Sequence, residues 1–218
     1  MIAVMKTLPA GAELRNELEI KRSRFITVVR RVASPEEARA LVADARDEFP
    51  DARHHCSAWV ISTEGGNDML HSSDDGEPSG TAGRPMLDAL AGSGLSDVAA
   101  VVVRYFGGTL LGTGGLVRAY TDSVNECLRG AAVVERVTRS RQRVHLRHDV
   151  AGRVEADLRA RGYEVVDVAY GVTAVELDLA VDDVERFSAE LAAVTAGTAS
   201  ATDVGTVVTE VPAEPIAG

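Results

Sequence analysis

Apolar residues recur along the first 130 positions with two different spacings. Several short runs are apolar at every second position, which is typical of strands, and others at every third or fourth, which is typical of amphipathic helices. The first spacing predicts strands at 19–32, 54–62, 69–72 and 98–104, with a turn at Gly65-Gly66-Asn67 between the second and third. The second predicts helices from the Ser34-Pro35-Glu36-Glu37 capping box to Pro50, at 85–91, and up to about residue 129. Strands and helices alternate, so we expect a first domain of α/β or α+β class.

The pattern resets at 133–138. We predict a strand at 139–148, a helix at 150–161, strands at 163–169 and 172–181, a helix opened by a capping box at 182–185, and a last strand at 198–211. This order, βαββαβ, is the ferredoxin-like pattern. The sequence therefore predicts an α+β protein with domains at 1–138 and 139–211. Residues 212–218 are expected to be a frayed tail.

Charge and cysteine content restrict the possible functions. The 218 residues carry 23 basic and 33 acidic side chains, a net charge of −10, which argues against bulk electrostatic attraction to nucleic acid but not against a local basic patch. Two cysteines are too few for a disulfide framework and favour a reducing compartment. We see no targeting segment and no stretch that could span a membrane, so we expect a cytoplasmic protein without membrane partners.

A glycine-rich turn between a strand and a helix is the strongest chemical signal. The stretch 101–120 reads VVVRYFGGTLLGTGGLVRAY, and within nine positions it holds Gly107, Gly108, Gly112, Gly114 and Gly115. Such a turn directs backbone N–H groups and the positive end of a helix dipole at one place, and Arg104 and Arg118 flank it, which favours a bound phosphate. The sequence lacks the Gly-Lys-Ser/Thr of nucleoside triphosphatases and the third glycine of dinucleotide-binding turns. The alternative is a tight turn whose glycines only allow the strand and helix to pack.

Further basic residues could complete an anion-binding groove. Lys21, Arg22 and Arg24 form a basic run on a strand, and Arg84 lies at the predicted start of a helix. Together with Arg104 and Arg118 they would line a groove for phosphates. The alternative is an ordinary exposed face.

Candidate catalytic residues lie in two places. Asp74, Asp75 and Glu77 crowd a polar turn, where they could serve as acid, base or metal ligand, or only cap the turn and the next helix. His54 and His55 lie on a strand, where neighbours point to opposite faces, so the pair does not readily share one metal. No paired metal-ligand motif is present. Cys127 shares a helical pattern with Val124 and Leu128 and is expected in the core, and Cys56 is interpreted as a buried strand cysteine. We expect no metal or cofactor.

Four segments together resemble one family. They are Lys21-Arg22-Ser23-Arg24-Phe25, Asp51-Ala52-Arg53-His54-His55-Cys56, SDDGEPSGTAGRPML at 73–87 and VRYFGGTLLGTGGLVRAY at 103–120. In this order they are similar to the YigZ/impact family, whose bacterial branch also carries a ferredoxin-like second domain. The resemblance implies a first domain similar to the second domain of a ribosomal small-subunit protein, and a second domain similar to an elongation factor G module.

The resemblance implies less about function than about fold. Eukaryotic members act in translational control under amino-acid stress through partner proteins. Their N-terminal RWD domain has no match here, so we do not expect that mechanism to transfer. The resemblance implies no established cofactor, and it carries the family's signature onto this chain at the following positions: His54, His55, Asp74, Asp75, Gly76, Glu77, Arg104, Gly107, Gly108, Gly112, Gly114 and Gly115.

Three functional hypotheses follow. The first is a non-enzymatic, translation-linked protein that binds structured RNA, the ribosome or a translation-associated protein through the glycine-rich turn and the arginines. The second is a small hydrolase with its site between the SDDGEP loop and the glycine-rich turn, which requires the carboxylates and a histidine to converge on one pocket. The third is an interaction module that docks partners on the ferredoxin-like sheet, which exposed apolar residues there would favour.

Overall fold

The computed structural model describes residues 5–63 and 66–217 and divides the chain into two compact units. Unit 1 comprises residues up to 135 together with those from 211 onwards, and unit 2 comprises residues 136–210. In the described ranges no helix combines the length and apolar character needed to cross a membrane. Both units mix strands and helices, which confirms the α+β class.

Unit 1 is built on a five-stranded sheet of order β2-β3-β6-β4-β5, in which every neighbouring pair is antiparallel. Its elements are β1 (Met5–Thr7), β2 (Glu13–Ile20), β3 (Ser23–Arg31), α1 (Pro35–Glu48), β4 (His54–Ile61), β5 (Met69–Ser73), α2 (Gly83–Gly92), β6 (Val98–Tyr105) and α3 (Thr113–Leu128). The predicted strands at 54–62, 69–72 and 98–104 are confirmed within one or two residues. Gly65 of the predicted turn lies outside the described residues.

Helices cover both faces of this sheet. Phe25 and Val29 pack with α2 and α3 on one face, whereas Ile26 and Val28 pack with α1 on the other. The period-two pattern in β3 therefore assigns the faces correctly. Arg104 follows Val102 on the α2/α3 face, because alternate residues of a strand share a face.

The start of α1 confirms the predicted capping box. Ser34 Oγ accepts a hydrogen bond from the Glu37 backbone N–H at 3.2 Å, and Pro35 occupies the first turn. Glu37 Oε2 accepts in return from the N–H of Ala33 at 2.8 Å. The capping box thus satisfies the N–H groups of Glu37 and Ala33 locally, and Pro35 has no N–H to satisfy.

Unit 2 has the strand order β10-β7-β9-β8, which is the arrangement of a ferredoxin-like βαββαβ sheet. Its elements are β7 (Val133–Leu146), α4 (His148–Ala160), β8 (Glu164–Tyr170), β9 (Val175–Val181), α5 (Val184–Thr195) and β10 (Ala201–Ala213), and the boundaries between the units fall within β7 and β10. Its core joins Val144 and Leu177 of the sheet to Leu158 and Phe187 of the helices. The predicted fold of this region is confirmed.

Two details of the sequence prediction are wrong. Residues 19–32 are not one strand but the β2–β3 hairpin, whose turn residues Lys21 and Arg22 adopt φ values of 50° and 68°. Residues 212–217 are not frayed. Ile216 exchanges backbone hydrogen bonds with Gly130 and Ala131 at 3.1 and 3.2 Å, and its side chain packs against the α2/α3 core.

Gly107 is required where the glycine-rich turn touches the β2–β3 turn. A Cβ atom there would overlap the carbonyl group of Arg22 and the backbone nitrogen of Ser23. The N–H of Gly107 also donates to Ser23 Oγ at 3.1 Å. Because Gly107 has no side chain, the backbone of the glycine-rich turn can contact the backbone of the β2–β3 turn.

We therefore expect Gly107→Ala to lower the free energy of unfolding by about 3 kcal/mol, because backbone must move to admit the methyl group. Urea denaturation measures this. The control is Gly114→Ala, whose Cβ would have no neighbour within 4 Å and whose φ is ordinary, so its stability should be unchanged or higher. Equal stabilities of the two variants would contradict the packing role of Gly107.

Candidate functional site

A buried ion pair lies where β6 ends. Arg104 Nη1 donates to Glu77 Oε1 at 2.7 Å, and the two side chains are only 7% and 3% exposed. Tyr120 of α3 donates its hydroxyl proton to the same Oε1 at 2.8 Å and accepts from the Cys56 thiol at 3.3 Å. The Arg104 guanidinium lies 5.4 Å from the ring centroid of Phe25 and 5.7 Å from that of Phe106. These contacts connect β4, β6, α3 and the loop before α2.

Burial makes the thiol and the phenol of this cluster less acidic. It raises the pKa of Cys56 to about 12, and burial raises the pKa of Cys127, elsewhere in unit 1, to about 12 as well. Burial also raises the pKa of Tyr120, and the nearby Cys56 and Glu77 add to the shift. The thiols and the phenol therefore stay protonated near neutral pH, and neither cysteine is an activated nucleophile.

Asp74 holds the loop after β5 in shape. Its carboxylate accepts backbone hydrogen bonds from Gly80, Ala82 and Gly83 at 2.8 to 3.0 Å. Burial alone would raise the pKa of Asp74, but these donors outweigh it and the pKa lies below its ordinary value. Asp74 thus has the capping role that the sequence left open.

Asp75 lies beside both histidines, which take opposite sides of β4, and its Oδ2 is 3.8 Å from His55 Nδ1. Asp75 accepts from Arg46 of α1 at 2.6 Å and from the His55 backbone N–H at 2.7 Å. His55 Nε2 lies 3.1 Å from the Phe49 carbonyl oxygen, whereas His54 Nδ1 lies 2.9 Å from that of Asp75. His54 and Cys56 share one side of β4, as predicted, and His55 takes the other.

The three carboxylates consequently do not converge with a histidine on one pocket. Asp75 is close to His55, on the opposite side of β4 from His54. Glu77 and His54 line one pocket, but Glu77 is already bonded to Arg104 and Tyr120. Within 5–63 and 66–217 no group of three His, Cys, Asp or Glu side chains is placed to hold a metal ion. The geometric condition that we set for a hydrolase at this loop is not met.

The pocket of about 440 Å³ lies at the start of α3. Gly112, with φ of 74°, precedes the helix, and the first intrahelical hydrogen bond runs from Leu116 N to Gly112 O at 2.9 Å. The N–H groups of Thr113, Gly114 and Gly115 are therefore outside the helical ladder. The residues that line the pocket are Arg53, His54, Glu77, Pro78, Arg104, Phe106, Leu110, Leu111, Gly112, Thr113 and Leu116.

The predicted groove of basic residues is only partly formed. Arg104 pairs with Glu77 through its Nη1, Arg24 pairs with Glu17 at 2.7 Å, and Arg84 pairs with Asp88 at 2.8 Å. By contrast, Lys21, Arg22 and Arg118 have no carboxylate partner among the residues described. Arg22 Nη2 instead donates to Thr109 Oγ1 in the glycine-rich turn at 3.3 Å, just beyond Gly107 and Gly108.

The outer face of the unit 2 sheet is charged rather than apolar at its centre. Arg143 Nε donates to Asp178 Oδ1 at 2.7 Å, and Arg141 Nε donates to Asp178 Oδ2 at the same distance. Exposed valines occur on β10, at Val204 and Val208. The central strands therefore do not favour the third hypothesis.

Comparison with known proteins matches both halves of the chain. The Impact N-terminal domain model matches residues 21–128, and a domain of unknown function, DUF1949, matches residues 144–198. IMPACT family member YigZ of Escherichia coli is 43% identical over 80% of this chain and 86% of its own length. IMPACT family member YvyE of Bacillus subtilis is 40% identical over 78% and 77%, respectively.

A solved structure supports the same fold. A crystal structure of a hypothetical protein is 38% identical and aligns with a TM-score of 0.61 over 94% of this chain and 98% of that chain. The resemblance found in the sequence is thereby confirmed over both domains.

We expect Arg104→Leu to lower the free energy of unfolding by about 3 to 5 kcal/mol, because the Glu77 carboxylate would remain buried without its cation. In the double variant Arg104→Leu with Glu77→Leu that charge is gone, so part of the loss should be recovered. Urea denaturation of the wild type, of Arg104→Leu, of Glu77→Leu and of the double variant completes the cycle. A double variant less stable than either single one would contradict this account.

Proposed function

The chain belongs to the IMPACT family, and from that premise we propose that it is a non-enzymatic, translation-linked protein that binds phosphate groups of ribosomal or other structured RNA. Membership of this family supports a link to translation, because both domains of the family resemble domains of translation proteins. The residues around the glycine-rich turn define the proposed binding mode.

One contact carries the proposal: the β2–β3 turn packs on the glycine-rich turn. Arg22 reaches Thr109 at 3.3 Å, and Gly107 admits the backbone of Arg22. Arg22 is thus fixed beside the glycine-rich turn, which leads to the free N–H groups of α3, and Lys21 precedes Arg22 in the same hairpin turn. Free backbone donors and unpaired cations together favour phosphate.

The RNA-facing surface in this proposal is smaller than the sequence suggested. It consists of Lys21, Arg22, Arg118 and the amides of 113–115, because Arg24 and Arg84 are occupied by Glu17 and Asp88. The net charge of −10 does not oppose it, since charges beyond a Debye length of about 8 Å are largely screened.

A binding role is favoured over the hydrolase hypothesis by what the acidic residues contact. Asp74 is bonded to three backbone N–H groups, and Asp75 to Arg46 and the backbone of His55. Glu77 is bonded to Arg104 and Tyr120. These carboxylates support loops, and the surface they support is the one that we propose binds RNA.

The test is co-sedimentation with ribosomal subunits over a salt series. We expect wild-type binding to weaken with salt, and a variant with Lys21→Asn, Arg22→Gly and Arg118→Ala to bind about tenfold more weakly, with a salt slope lower by about 2. Asn-Gly suits a turn with two positive φ values, so the hairpin should be kept.

A control variant removes the same charge elsewhere. Arg39, Arg129 and Arg159 are exposed and paired with Glu36, Glu126 and Glu155, and their replacement by alanine should leave binding unchanged. No binding by the wild type at any salt, or equal losses in both triple variants, would refute the proposal.

A further inference from the structure

The pocket at the start of α3 has two chemically different halves. The polar half is formed by the amide end of the helix together with Arg53, His54, Arg104 and the Glu77 carboxylate, and Phe106 with three leucines forms an apolar half. Its volume, about 440 Å³, is within the range of small-molecule sites. A ligand that fits both halves carries an anionic group on an apolar or aromatic body.

In the polar half, Arg104 has a hydrogen-bond donor without an acceptor. The residue is only 6% exposed, and its Nη1 is bonded to Glu77, whereas its Nε is buried without a hydrogen-bond partner. Buried donors are satisfied in the great majority of cases. A guanidinium group offers five N–H donors, so Arg104 has capacity for an anion beyond Glu77.

The amide end of α3 provides the second set of donors. Gly112 and Thr113 line the same pocket as Arg104, and the N–H groups of 113–115 are free of the helical ladder. Glu77 also lines the pocket and offsets the charge of Arg104, so the helix amides and Arg53 supply the net attraction for an anion. A phosphomonoester carries about −1.5 to −2 at neutral pH, more than the single charge of an internal phosphodiester.

The apolar half is open to solvent. Phe106 is 52% exposed and Leu110 is 84% exposed, and both line the pocket. The Phe106 ring is large and flat, and it sits beside the anion donors through its contact with Arg104. An exposed ring in that position suits a stacked nucleobase.

We propose that this pocket binds one terminal nucleotide through its phosphomonoester and its base, either at the phosphorylated end of an RNA or as a free mononucleotide. The phosphate meets the amides of α3 and Arg104, and the base lies on Phe106 and Leu110. This inference rests on the proposed function, of which it specifies the ligand, and it makes a separate prediction about chain ends.

The test is calorimetric titration of the full chain with adenosine 5′-monophosphate, adenosine and inorganic phosphate. We expect the nucleotide to bind at least about tenfold more tightly than either fragment, since each fragment fills one half of the pocket. A short RNA with a 5′-phosphate and the same RNA with a 5′-hydroxyl complete the set. Preference for the phosphorylated RNA over the mononucleotide assigns the RNA end as the source, and the reverse order assigns the free nucleotide.

Two variants separate binding from folding. Gly114→Glu adds a negative charge at an open helix start, which should keep the fold and weaken nucleotide binding by at least about tenfold. Its matched control is Gly152→Glu, at an equally open helical position of α4. Phe106→Ala should weaken binding by about tenfold through lost stacking, and Tyr170→Ala, another exposed aromatic residue, should not.

The outcomes distinguish this inference from the proposed function. Ribosome binding by the wild type without any preference for the mononucleotide over its fragments would overturn the pocket assignment alone. Equal nucleotide affinities for Gly114→Glu and Gly152→Glu would do the same. If the wild type binds neither ribosomal subunits nor the nucleotide, both the inference and the function on which it rests are overturned.

Discussion

The buried ion pair between Arg104 and Glu77 is the constraint on which the site depends. It joins the end of β6 to the loop before α2, and Tyr120 ties α3 to the same carboxylate oxygen. Such a pair adds little net stability, because both charges lose their hydration, but its geometry tolerates little displacement. The glycine-rich turn begins immediately after β6 and ends at α3. Both of its ends are therefore held by one cluster, and the pocket forms between them.

The fold could be predicted wherever burial alone decides it. Alternation in β3 assigned Phe25 and Ile26 to opposite faces correctly, and the element order of unit 2 gave its sheet. The hairpin at Lys21 and Arg22 was missed because neither residue is the glycine or asparagine that normally marks two positive φ values. The ordered segment around Ile216 was missed because tertiary contacts hold it, and no local sequence pattern reports such contacts.

The backbone turn of the site could be predicted from the sequence, whereas the ion-pair partners of its arginines could not. Five glycines in nine residues identify the turn, but the partner of each arginine depends on the fold. Arg84 and Asp88 are one helical turn apart and could have been paired from sequence. Arg24 and Glu17 meet only across the hairpin, and Arg104 and Glu77 are 27 residues apart. The carboxylates that the sequence offered as catalytic candidates instead stabilise loops through contacts that only the fold brings together.

The most direct test is an amide NMR titration of the ¹⁵N-labelled full chain with a structured RNA hairpin. The account predicts that the largest shifts occur at Lys21, Arg22, Gly108 and the amides of 113–115, and that they shrink as salt is raised. Amides of α4 and α5 in unit 2 serve as the internal reference and should not move. Shifts confined to unit 2, or none around the glycine-rich turn at saturating RNA, would contradict the claim that this turn is a phosphate-binding surface.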